Sequence, residues 1–231
     1  MIFFCGDVHG QFGHVISAVQ QHRPDAIVLL GDLQAPQPLE TVLADIIDLT
    51  EVWYIHGNHD TDGTRDYCNL WDSGMADRNL HGRVVEIAGV RIAGLGGIFR
   101  GHIWMPPNHP VYASPAHYLQ HCGKANQWRG GLPRKQRSSI FYADYQALAH
   151  EKADIMVTHE APSCHPWGFS VLDRLGQSMG IQKSFHGHQH DSLNYREHDA
   201  RLGFKAYGVA LRAIMDENGN IISTWEDPAH D

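Results

Sequence analysis

The amino-acid sequence predicts an α/β protein built on a parallel sheet, and two observations carry this. Short apolar runs alternate along the chain with segments whose apolar residues recur at helical spacing, the pattern of βαβ units. The runs also end alike, in Asp, Asn or His next to a glycine or a threonine, which marks the step from a buried strand into a loop.

Taken in order, residues 1–7 (MIFFCGD) read as the first strand, and 11–22 as a helix with Phe12, Val15, Ile16 and Val19 on one face. Residues 25–32 (DAIVLLGD) repeat the first pattern, and a helix is expected over 39–49 after the APQP breaker. Residues 51–60 (EVWYIHGNHD) form the third run. Residues 83–97 then read as two short strands around Gly89, so antiparallel structure begins there. Residues 98–137 are proline-rich and aperiodic, and read as an irregular substrate-side insertion that supplies no core elements; loops of such length are usually functional or mobile. A helix is expected over 134–150, a strand entering a polar loop over 153–162, and a helix over 169–179. Residues 183–190 (KSFHGHQH) are a fifth strand-to-loop junction. Residues 205–223 read as a terminal hairpin turning at Asn218-Gly219. No repeat or linker interrupts the sequence, so one domain over 1–231 is expected.

Composition narrows the function classes. A hydrophobic share of 42% suits an ordinary core. The formal charge of −8, from 26 acidic and 18 basic side chains, argues against long nucleic acid and anionic membranes. Cys5, Cys68, Cys122 and Cys164 stand far apart with no CxxC pair, which excludes a zinc ribbon and suits free thiols in a reducing compartment. The first residues have no basic segment or long apolar run, and no stretch is long enough to cross a bilayer, so a cytoplasmic protein is expected.

The chemistry sits at five junctions: GDVHG at 6–10, GD at 31–32, GNHD at 57–60, THE at 158–160 and GHQH at 187–190. In an open α/β sheet, loops at the strand carboxyl ends share one edge and form the ligand crevice, so residues remote in sequence converge there. Mixed Asp, Asn and His donors suit divalent first-row ions. The donors outnumber what one ion needs and match a pair about 3.5 to 4 Å apart.

These five motifs resemble the calcineurin-like metallophosphoesterase superfamily, over residues 2 to about 212. The resemblance implies a four-layer α/β/β/α sandwich of mixed sheets with a dinuclear site at the sheet edge. By motif position, Asp7, His9, Asp32 and His190 would hold one ion; Asp32 would bridge to a second completed by Asn58, His159 and His188. The cofactor expected is two divalent transition-metal ions, manganese first, with iron, zinc or nickel as alternatives. His59 matches the catalytic histidine, placed to protonate or stabilise the leaving oxygen while the ions activate water. His186 reads as a packing residue or as a support behind the ligands, and Asp60 either orients His59 or forms the turn.

The second motif runs GDLQAPQ and lacks the Asp-Arg pair of the protein phosphatase branch, which favours the phosphodiesterase-leaning branch. Phosphate grip then falls to the insertion. Arg100 and Arg129 are the substrate candidates, with Arg134 and Arg137 nearby and Trp104, Tyr112 and Trp128 available to stack on a base. The expected function is a metal-dependent phosphodiesterase acting on a small phosphate ester or nucleotide-like substrate. The alternatives are a nuclease acting on nucleic-acid ends and a non-catalytic metal-binding scaffold.

Overall fold

The computed structural model describes residues 1–224. The chain opens with β1 (Ile2–Cys5), α1 (Gly13–His22), β2 (Ala26–Leu29), a single-turn α2 (Leu39–Val42), β3 (Glu51–Tyr54) and α3 (Thr64–Trp71). A hairpin of β4 (Arg83–Ile87) and β5 (Val90–Leu95) follows. Its turn residues Ala88 and Gly89 both have positive φ, 49° and 78°, the backbone twist that two-residue hairpins require. Beyond come α4 (Pro115–His121), α5 (Tyr142–Ala149), β6 (Ile155–Thr158), α6 (Ser170–Met179), β7 (Lys183–His186), α7 (Asp199–Leu202), β8 (Lys205–Gly208), β9 (Ile214–Asp216) and β10 (Ile221–Ser223).

Among the described residues the ten strands form two five-stranded mixed sheets, ordered β10-β9-β1-β2-β3 and β4-β5-β6-β7-β8. Strands β1, β2 and β3 run parallel, as do β5 to β8, while β4, β9 and β10 pair antiparallel at their margins. Side chains alternate across each strand, and both faces are covered. Phe3 and Cys5 pack with Val15 and Val19 of α1, whereas Ile2 and Phe4 pack with Ile155, Val157 and Phe185 of the other sheet. The far face of that second sheet, with Ala93, Leu95 and Met156, meets Leu148 of α5 and Leu172 and Leu175 of α6. The layers are therefore helix, sheet, sheet, helix. Burial on both faces is why the parallel strands read as unbroken apolar runs.

Four expectations need correction. The helix over 39–49 stops at Val42 and continues as tight turns, for example Ile46 N–H to Leu43 O at 2.9 Å. Residues 45–48, DIID, combine β-branched and aspartate side chains that favour helix poorly, although Leu43 and Ile46 keep their buried places. The helix over 134–150 breaks in two because Ser139 pairs with Ile98; α5 restarts at Tyr142, where the Asp144 carboxylate accepts the Phe141 N–H at 3.0 Å. The 98–137 segment is not excluded from the core. Phe99, Ile103 and Trp104 are buried within it, and α4 is started by Ser114, whose Oγ accepts the His117 N–H at 3.1 Å. Finally, the terminal hairpin spans only β9 and β10, and Lys205–Gly208 joins the other sheet beside β7.

No helix among the described residues is long and apolar enough to cross a membrane. All four cysteines are free, Cys5 and Cys164 buried.

Candidate metal centre

The carboxyl ends of β1, β2, β3, β6 and β7 each deliver one polar loop, and these five loops meet. Asp7, His9 and His190 present ligand atoms within 4.8 Å of one another, and Asp32, His159 and His188 form a second such trio. In the first, His190 Nε2 lies 3.3 Å from Asp7 Oδ2 and 3.1 Å from His9 Nε2. In the second, His159 Nε2 lies 3.3 Å from both Asp32 Oδ2 and Asn58 Oδ1. The trios adjoin, with His159 Nδ1 3.8 Å from Asp7 Oδ1. All seven side chains singled out as ligands in the sequence thus converge.

The backbone is bent to achieve this. His9, Asp32, His188 and His190 all adopt positive φ, between 41° and 67°, a region that non-glycine residues rarely occupy and that clusters at functional sites. The adjoining glycines make room. A Cβ on Gly57 would sit 2.2 Å from Asp32 Oδ1, and one on Gly187 would sit 2.4 Å from Asp7 Oδ1.

His59 stands at the rim, its side chain 44% exposed, and its ring centroid lies 5.6 Å from that of His9. Its N–H donates to Asp32 Oδ1 at 2.8 Å, and its Nδ1 is 2.5 Å from Asp62 Oδ2. Asp60 does not orient it. Both Asp60 oxygens are engaged by backbone, one by Gln34 N–H at 2.7 Å and the other by Gly57 N–H at 2.8 Å. Asp60 therefore ties the β2 and β3 loops together, and Asp62 takes the orienting place.

The calcineurin-like phosphoesterase family profile matches residues 1–192. The chain belongs to that family. It is a metal-dependent phosphoesterase, a hydrolase of phosphoric esters. A Haemophilus influenzae protein described as uncharacterized is 42% identical to this phosphoesterase over 228 residues, 98% of this chain and 99% of its own. The crystal structure of TT1561 of Thermus thermophilus is similar in fold, with a TM-score of 0.57 at 14% identity over 95% of this chain and 96% of that one.

Members of this family work with a dinuclear metal centre, and the donor set of the phosphoesterase fits one. His159 Nδ1–H donates to Leu30 O at 2.8 Å and His9 Nδ1–H to Gln34 Oε1 at 2.7 Å. Each bond leaves the Nε2 lone pair pointing into the site, as metal-ligating imidazoles require. Asp7 Oδ1 is buried with no hydrogen-bond partner among the described residues, an orphaned carboxylate oxygen that a cation would satisfy. Burial opposes charge on His159, but the carboxylates of Asp32 and Asp7 outweigh it and raise its pKa to about 10. Burial likewise opposes charge on Asp32, and His159 together with the His59 amide overcomes it and holds Asp32 well below the usual carboxylate range. The same carboxylates that favour positive charge on His159 would favour a metal cation at its Nε2. His188 is held down to about 4, chiefly by burial and then by His159. Glu160, 3.9 Å from His188 Nε2, is pushed up to about 7 by burial.

The arginines divide. Arg100 is half-buried and donates to Ser138 Oγ at 3.1 Å; burial lowers its pKa, while nearby Asp62 and Glu160 favour its charge. Arg129 is turned toward Asp72 at 2.7 Å and Cys68 Sγ at 3.0 Å. Arg137 donates to Leu132 O, Tyr67 Oη and Trp128 O. Trp104 is 4% exposed, with Nε1–H on Asn108 O at 3.1 Å, so it is a core residue and offers no face for a base. His186 is fully buried, with its Nε2 3.1 Å from Tyr195 Oη.

Sequence reasoning missed Gln34 and Asp62. Asp62 sits three residues after His59, but only a 3₁₀ turn over His59–Thr61 brings the two together, and no sequence pattern announces that turn. Gln34 had no motif signal, since the acid and arginine of the protein phosphatase branch align with Ala35 and Pro36 and Gln34 takes the place of its valine.

Proposed function

We propose that this phosphoesterase is a phosphodiesterase acting on a small, nucleotide-like substrate, with its metal pair on the seven converging side chains. In this reading Asp7, His9 and His190 would hold one ion, Asn58, His159 and His188 would hold the other, and Asp32 would serve both. Manganese suits the mixture of carboxylate, amide and imidazole donors, and iron, zinc and nickel are the other candidates. When bound, such a pair supplies Lewis-acid activation of water and charge stabilisation on phosphoryl oxygens.

The chain's own part begins with His59. Asp62 fixes the ring through Nδ1, which leaves Nε2 to pass a proton to the departing oxygen. Arg100, flanked by Asp62 and Glu160, offers its guanidinium to a nonbridging oxygen. Arg129 can contribute only by leaving Asp72. Pro36 stands at the motif position of the phosphatase branch's arginine, so no dedicated grip for a dianionic monoester exists there. A single catalytic domain in the cytoplasm, with the 98–137 segment on the substrate side, belongs to the same reading. The charge of −8 weighs against long nucleic acid as substrate.

The observation that carries the proposal is the pairing of two ligand trios with a carboxylate-held histidine at their rim. Metal-loaded protein is expected to hydrolyse an aryl phosphodiester faster than the matching monoester. His59→Ala is expected to cut diester turnover by about a hundredfold or more while two ions per chain stay bound. A monoester preference would overturn the diester assignment, and an active variant would overturn the role of His59.

A further inference from the structure

The turn that carries His59 and Asp62 is fastened from outside, by the end of the 98–137 segment. Arg134 donates from three nitrogens: Nε to Thr61 O at 3.0 Å, Nη2 to Asp62 O at 2.7 Å and Nη1 to Thr64 Oγ1 at 2.8 Å. Four residues further on, buried Ser138 places its Oγ 2.7 Å from Thr61 Oγ1. Within the turn itself, Asp62 N–H closes on His59 O at 3.1 Å, a 3₁₀ bond of poorer geometry than an α-helical one. None of the three Arg134 bonds is to a carboxylate. Its planar fork binds two consecutive main-chain carbonyls and a neighbouring hydroxyl, which suits holding backbone rather than gripping a phosphate.

We infer that Arg134 is a positioning residue for the proton-donating step: by clamping the 61–64 backbone it sets Asp62, and through Asp62 it sets the His59 ring. The inference rests on the reading of His59 as the acid and gives the 98–137 segment a part in catalysis apart from substrate contact. Lysine cannot reproduce the fork, because a single ammonium cannot span both carbonyls and the hydroxyl in one plane.

The test compares metal-loaded wild type, R134K and R134Q on two phosphodiesters that share the retained group, one leaving as 4-nitrophenolate and the other as an alkoxide. An alkoxide needs the proton and a nitrophenolate scarcely does. R134Q is expected to lose about tenfold or more in kcat on the alkyl ester and under about threefold on the nitrophenyl ester, with R134K close to it. In a His59→Ala background the same change should cost nothing further on the alkyl ester, since the two act as a unit. Amide exchange over residues 59–62 should rise in R134Q while the ion content holds. T64V removes one arm of the clamp and should show the same selective loss more weakly, which keeps the test valid if R134Q folds poorly. Equal losses on both esters, an additive double variant, or unchanged exchange would each overturn the inference. His59→Ala alone separates the two readings. If it shows no leaving-group selectivity, the acid role fails; if it does and R134Q does not, only the role of Arg134 fails.

Discussion

At His59 the local chemistry is carried by a neighbour three residues away. Asp62→Asn keeps the shape of the 2.5 Å contact but removes the carboxylate that holds the ring. Its expected outcome is a fall in diester turnover on the order of tenfold or more with unchanged metal content, checked by steady-state kinetics beside elemental analysis. Loss of metal in that variant would instead make Asp62 part of the ligand shell. Gly187→Ala tests the other side of the site. The new Cβ would lie 2.4 Å from Asp7 Oδ1, so Asp7 or the loop must move. Bound metal is expected to drop below two ions per chain while the protein stays folded by circular dichroism. A variant that retains both ions would mean the loop yields without disturbing Asp7.

At the scale of elements, the contact between the two sheets is what brings candidate ligands from both to one edge. Phe4 of β1 stacks on Phe185 of β7 with ring centroids 3.9 Å apart and planes 6° from parallel, and both are fully buried. Phe4→Ala removes a filled position in the layer between the sheets and is expected to cost about 3–5 kcal/mol, read from urea unfolding of the metal-free protein. A cost below about 1 kcal/mol would mean the sheets close over the gap. The elements also show what their sequences could and could not announce. Strands β1, β2 and β6 were legible because both faces are buried and the runs are continuously apolar. The end of α2 was not, since Leu43 and Ile46 keep a helical apolar spacing even though the backbone around them has left the helix. Trp104 was misread for a related reason: in a proline-rich stretch no periodicity marks which aromatic residue the fold takes inward.

Over the whole molecule, acid sensitivity should reach beyond the candidate metal centre. His14, in the first turn of α1, has its pKa lowered to about 4, first by burial and then by the charge of Arg212. A histidine depressed in the folded state stabilises the protein fully above the unfolded value near 6.5, and that contribution is lost as the pH falls toward 4. With metal stripped from both proteins, the urea midpoint of wild type should fall more than that of His14→Gln between pH 7 and pH 4.5. Parallel curves would show that His14 titrates normally in the fold.

The sequence by itself determined the α/β class, the five strand-to-loop junctions and which seven polar side chains converge, because strand ends and the polar residues that follow them are both written in local residue order. Tertiary structure alone decided the rest. It decided that Asp62 rather than Asp60 meets His59, that Gln34 fixes His9, that Arg129 faces Asp72, and that Arg134 clamps a turn some 70 residues away in the chain. The physical reason is range. Apolar periodicity is a property of neighbours along the chain, whereas hydrogen bonds between loops exist only after two sheets have packed and their carboxyl edges have been brought side by side.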